Sequence, residues 1–107
     1  MADNGIRGVA PIVKLLSAAL ETFHTIPVGK EETPTLIRAT NVSAADTTVT
    51  VTVGGGRLAF NWPVKVGEAV NILGPDFGVL PPGTVFQARG GTVNAIEITM
   101  FRSQRDL

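Results

Sequence analysis

The hydrophobic and polar positions of this chain alternate most regularly from Thr48 to Val53, with Val49, Val51 and Val53 on one parity and Thr48, Thr50 and Thr52 on the other. A β-strand turns successive side chains to opposite faces, so the pattern predicts a strand with a buried valine face and a wet threonine face. Both residue types are β-branched, which suits a pleated strand and disfavours a helix. Further apolar-rich runs lie at about Leu20–Ile26, Thr35–Asn41, Leu58–Asn61, Ala69–Leu73, Thr84–Ala88 and Thr92–Phe101. Pro27-Val28-Gly29, Gly54-Gly55-Gly56, Gly74-Pro75 and Pro81-Pro82-Gly83 separate them, and glycine and proline are the residues that make turns cheap. Short strands at this spacing predict an all-β fold, an antiparallel β-sandwich, jelly-roll or Ig-like, of about seven or eight strands. Its expected core contains Ile37, Val49, Val51, Val53, Ile72, Val85 and Ile98. Gly54-Gly55-Gly56 reads as a hairpin reversal, because no Lys-Ser/Thr follows at the spacing of a phosphate-binding loop.

The first part of the chain supports two readings. Ile12, Leu15, Leu16, Ala19, Leu20 and Phe23 recur at helical spacing behind Pro11, which suits a first helical turn. The same stretch also fits an extended arm that enters a strand near Leu20 and stops at Pro27, whose missing N–H interrupts a ladder. The expected organisation is an N-terminal arm or short helix over residues 1–17 and one β-sandwich domain over residues 18–107. A chain of 107 residues is long enough to bury one core.

Composition narrows the function classes. Nine basic residues balance nine acidic ones, so the chain lacks the positive field that holds nucleic-acid phosphates. Lys14, Glu21 and Pro27 interrupt the longest apolar stretches, well short of the roughly 20 residues a membrane helix requires. Lys14 also breaks the apolar run that a secretory signal needs. The expected site of synthesis and folding is therefore the cytoplasm, which makes the Asn41-Val42-Ser43 sequon a coincidence. Cysteine is absent, so neither disulfides nor thiol chemistry enters.

Candidate chemistry is sparse. His24 is the single histidine; on an alternating strand it falls beside Leu20 and Ile26 rather than among acids, and it reads as a structural residue with no metal-ligand spacing around it. Ser17 or Ser43 with His24 and Asp46 makes a triad only on paper, without a Gly-x-Ser-x-Gly elbow. Glu31-Glu32 follows Gly29-Lys30 and reads as a solvated pair in a turn. No catalytic residue, metal ligand or cofactor is expected. Contact chemistry is better represented. Phe60 and Trp62 alternate within FNWPV and should project to one face, as core or as a contact patch. The chain ends carry Arg7, Arg102 and Arg105. The expected interface residues are Ile6, Arg7, Val9, Ile12, Trp62, Arg102 and Arg105.

The order FHTIPVGKEETPTLIRATNVS, the Thr/Val strand, PVKVGEAVNILGPDFGVLPPGTVFQA and VNAIEITMF spans about Leu20 to Phe101. It resembles small β-sandwich structural proteins of tailed bacteriophage virions. The resemblance implies a non-enzymatic capsid decoration or cement protein that bridges major capsid subunits, or else a tail, neck or baseplate module, without a cofactor. The implied partners are further copies of the chain, as a homotrimer, and the major capsid protein or another virion protein, with neither nucleic acid nor membrane. The implied location is the virion, after synthesis in the host cytoplasm. A β-sandwich that binds carbohydrate by stacking it on Trp62 is the alternative from another class.

Overall fold

The computed structural model describes residues 7–73 and 78–107. Nine strands and no helix form among them: β1 (Arg7–Gly8), β2 (Ile12–Leu15), β3 (Glu21–Thr25), β4 (Lys30–Asn41), β5 (Thr47–Val53), β6 (Gly56–Val64), β7 (Ala69–Leu73), β8 (Val85–Gly90) and β9 (Ile96–Asp106). Sheet A has the order β1/β2-β9-β4-β7, with β1 and β2 on the same edge of β9, and sheet B the order β3-β8-β5-β6. Every pairing is antiparallel. The chain is one long hairpin rolled up. At its tip β5 pairs β6, and outward from the tip β4 pairs β7, β3 pairs β8 and β2 pairs β9. Rolling then lays β4 along β9 and β5 along β8. The result is the jelly-roll form of the sandwich, which decides between the two sandwich types that the sequence left open.

The tip is where glycine is needed. Val53 pairs Gly56 across a two-residue loop, and Gly54 (φ 58°) and Gly55 (φ 84°) both take the positive φ that a type I′ turn demands. From there β5 runs back as the second strand in from the β6 edge of sheet B, with Val49 and Val51 fully buried. They meet Phe86 and Ala88 of sheet B and Ile37, Ala39, Ile98 and Met100 of sheet A in one core. Of the expected core, Ile37, Val49, Val51 and Ile98 are wholly buried, Val53 and Ile72 pack at its margin, and Val85 is half-buried. The threonine face is drier than alternation predicts. Thr50 is only 5% exposed, and Thr48 and Thr52 are half-buried. β5 lies between two strands, and Arg89 opposite Thr50 and Arg57 opposite Thr52 flank its outward row.

The helical stripe is not realised. Ile12–Leu15 pairs with Glu97–Met100 of β9, and Arg7–Gly8 continues along the same edge opposite Ser103 and Gln104. The apolar residues of the stripe go to separate places: Leu16 is fully buried, Ile12 and Phe23 pack against the core, and Leu15 and Leu20 are each 46% exposed. An edge of β9 offering unpaired backbone groups outweighs a weak local propensity. Residues 7–16 of the expected arm thus lie along sheet A. Ile6 lies outside the described residues.

Five bulges decide which side chains face in. In β6, Val49 stands opposite Trp62 and Val51 opposite Ala59, so Thr50 alone faces both Phe60 and Asn61. Asn61 adopts φ 47°; its N–H donates to Thr50 Oγ1 at 3.0 Å, and its side-chain oxygen accepts from Arg89 Nη2 at 3.4 Å. An extra residue reverses the parity beyond it. Trp62 therefore shares the inner face with Val49, at the open sheet edge, and is 40% exposed, whereas Phe60 turns outward, 54% exposed, beneath the Arg57 guanidinium 4.4 Å from its ring centre. The expectation that both rings project to one face is corrected by this bulge. Leu58 is the extra residue of a second bulge in β6, Thr35 is extra in β4 against β9, Phe23 is extra in β3 against β8, and Ile72 is extra in β7 against β4.

Two substitutions test the core. Val51→Asp buries an unpaired charge between the sheets and is expected to abolish soluble expression. Ile98→Ala is expected to lower unfolding free energy by about 2–5 kcal/mol in urea titrations, since it removes a buried side chain from the shared core.

Candidate functional site

Two parts of the molecule concentrate its polar and contact chemistry. The first lies at one end of the β4–β9 ladder. Glu32 is opposite Gln104, and Pro34 is opposite Arg102, so antiparallel pairing turns Glu32, Gln104 and Arg102 to the same inner side. His24, opposite Phe86 on sheet B, reaches in from above. The bulge at Phe23 lets both of its neighbouring rings face inward, and Phe23 and His24 each pack on Phe86, with centroids 6.0 Å and 5.7 Å away.

The Glu32 side chain is 0% exposed. A buried carboxylate costs several kcal/mol unless donors replace water. Three side chains approach it: His24 Nε2 lies 2.7 Å from Oε1, Gln104 Nε2 donates to Oε2 at 2.9 Å, and Arg102 Nε stands 2.9 Å from Oε1. The carboxylate only accepts, which assigns the hydrogen to His24 Nε2. The Arg102 contact is an ion pair by distance but falls outside hydrogen-bond geometry, so it acts through charge. Arg102 also donates from Nη1 to the Ala10 carbonyl at 2.8 Å, which ties the buried carboxylate to the link between β1 and β2. The Glu32 backbone closes the end of the sandwich by exchanging two hydrogen bonds with Leu80, at 3.1 Å and 2.7 Å.

These contacts correct two expectations. Glu31-Glu32 is not a solvated turn pair, because the turn closes one residue earlier, with Lys30 N–H donating to the Pro27 carbonyl, and the strand begins at Lys30. His24 does lie beside an acid. Pairing across eight positions of sequence made that contact invisible.

Farther out, Lys30 and Arg7 both bond Asp106, and Arg105 bonds Glu31. The Lys30 hydrogen bond, followed by that of Arg7, holds the Asp106 carboxyl below its ordinary 3.8. Of the expected interface residues, Arg7 and Arg105 are engaged in these pairs, Arg102 is largely buried, Val9 and Ile12 are half-buried, and Trp62 borders the edge of sheet B. Asn41 of the sequon is 2% exposed; its amide donates to the Ala45 and Val64 carbonyls, and its oxygen accepts from Ser43. Among the described residues, no three His, Cys, Asp or Glu side chains gather as a metal site requires.

The second part is the outer face of sheet A. Register places Val13 beside Thr99 and Arg38, Leu15 beside Glu97 and Thr40, and Phe101 beside Leu36. Val13, Leu15 and Phe101 are 56%, 46% and 43% exposed, and Leu36 is half-buried. They form an apolar stripe across three strands, β2, β9 and β4. Sequence reasoning missed it because Leu15 fitted either a helical stripe or an extended arm, Val13 fell in the arm, and Phe101 read as the end of a strand; the alternation Val13, Leu15 was the available signal. No helix among the described residues is long and apolar enough to cross a membrane. No family model, curated protein or solved structure matches the chain.

Glu32→Leu strands Arg102 in a largely buried place and is expected to cost about 3–5 kcal/mol in urea unfolding, with Glu32→Leu/Arg102→Leu recovering part of the loss. Asp106 has a depressed folded pKa, so its stabilisation is present above pH 3.8 and lost as pH falls through the lower folded value. Asp106→Asn should therefore show a smaller fall in urea midpoint than the native protein between about pH 5 and pH 2.

Proposed function

We propose that this protein is a non-enzymatic structural module that works by surface contact within a repeated assembly, and that the assembly is the virion of a tailed bacteriophage, with the module on the capsid as a decoration or cement protein. The observation that carries the first part is the apolar stripe of Val13, Leu15, Leu36 and Phe101 across the outer face of sheet A. Exposed apolar side chains clustered on a rigid sheet are the mark of a contact surface. The inward polar groups, by contrast, are engaged in holding the fold: Glu32 in its cluster and Asn41 in its turn.

The virion part rests on the sequence resemblance and on an analogy of fold, since jelly rolls recur in viral capsid proteins as well as in lectins. The shape suits a spacer between larger subunits, with extents of 51 × 22 × 20 Å. Contacts of modest strength become effective when symmetry repeats them.

The test is quantitative mass spectrometry of purified virions from the genome that encodes the chain. On the order of hundreds of copies per particle is the expected result for a lattice of capsid sites, and about six or twelve places the module on the tail axis instead. Absence from the particles overturns the virion assignment. Val13→Asp/Phe101→Asp, with an unchanged thermal midpoint, is expected to reduce particle occupancy at least tenfold; undiminished occupancy overturns the contact face.

A further inference from the structure

We infer that the outer face of sheet A is a two-fold self-association surface, whose occupant is a second copy of this chain. The inference rests on the reading of that face as a contact surface and names its partner. The argument is charge complementarity within the register. Arg38 and Glu97 lie on this face, one on β4 and one on β9; Arg38 is opposite Thr99 and Glu97 is opposite Thr40, so they stand diagonally. Neither has an ion-pair partner among the described residues. Arg38 is exposed, and its Nε donates to Asn71 Oδ1 at 3.0 Å, which draws the guanidinium toward β7, on the side of β4 away from β9.

Strands stand about 4.8 Å apart and rise about 3.4 Å per residue, so the register fixes a lattice of positions on the face. A two-fold axis lying in the interface, crossing the line between Arg38 and Glu97 at its midpoint and at right angles, puts each copy's Arg38 on the other's Glu97. The same operation carries Phe101 between the partner copy's Val13 and Leu15, and Leu36 onto its Leu15. One axis thus satisfies the charges and buries the stripe on both copies, as an isologous interface requires. A three-fold arrangement does not make this exchange, so the geometry favours a dimer over the trimer that the sequence resemblance implies.

The size of the face sets the strength. Four strands and about six residues along them cover roughly 400 Å² in projection, about half of what each partner buries in a standard interface. The dimer is expected to be weak, with a dissociation constant on the order of micromolar or above.

Sedimentation equilibrium from about 5 to 500 μM tests this, using the native protein, Arg38→Glu, Glu97→Arg, the double exchange and Phe101→Asp, each checked by circular dichroism for an unchanged fold. The native protein should show a monomer–dimer equilibrium. Each single charge reversal should weaken it at least tenfold, the double exchange should restore it, and Phe101→Asp should remain monomeric. A native protein that stays monomeric or forms trimers overturns the inference, as does a double exchange no stronger than the singles. If the native protein is monomeric but Val13→Asp/Phe101→Asp still loses particle occupancy, the second copy fails as occupant while the contact face stands; if occupancy is also unchanged, both fail.

Discussion

The ladder between β4 and β9 is the pairing on which the rest of the molecule is built. It runs from Lys30 opposite Asp106 to Asn41 opposite Ile96. It joins the two arms of the rolled hairpin, and everything else in sheet A attaches to one of its free edges: β7 to β4, and β1 and β2 to β9. Its inner side supplies Ile37, Ala39, Ile98 and Met100 to the core at one end and Glu32, Arg102 and Gln104 to the polar cluster at the other. The bulge at Thr35 divides the two. Before it, Glu32 and Pro34 face inward; beyond it, Ile37 and Ala39 do. Pro34 can stand within so long a strand because the ladder is already irregular beside it, where a missing N–H costs least.

The same ladder explains why a carboxylate occupies the interior. At this end of the sandwich His24, Arg102 and Gln104 surround Glu32 and between them serve both carboxylate oxygens. A buried set of this kind is weak evidence for stability by itself. Its effect is to fix orientation: Glu32 accepts only if β3 brings His24 to it and if β9 is in one register, because a slip of one residue would turn Gln104 and Arg102 to the outer face. Arg102 then passes that constraint to Ala10 and so to the outermost strand of sheet A.

What the sequence disclosed follows from how local the signals are. Alternation in β5 identified Val49 and Val51 as core, and Gly54-Gly55 as a turn, because both depend only on neighbouring residues. The bulges are not local in this sense. Asn61 takes its positive φ because Thr50 and Arg89, on two other strands, hold it there, and that single event separates Phe60 from Trp62. Glu32 and His24 read as a turn acid and an apolar-face histidine because their contact depends on the rolled topology. The N-terminal stripe has helical spacing, yet the unpaired edge of β9 claims its first part, Ile12–Leu15, as strand. The contact face was hidden for the same reason, since it exists only once β2, β9 and β4 lie side by side.

The pairing of the first strands with the last also bears on how the protein is made. Arg7 and Asp106, 99 positions apart, meet in one ion pair, and β9 is the common neighbour of β1, β2 and β4. A nascent chain emerging from the ribosome can close the β5–β6 tip early, but sheet A lacks β9, the strand that joins β1 and β2 to β4, until residues 96–106 have been synthesised. Until then the apolar inner faces of β2 and β4 lack a partner, and such exposure favours association between incomplete chains. Polysomes translating the message at high density would hold many such chains near one another, so the order in which this topology forms makes the emergence of β9 the decisive moment in its folding.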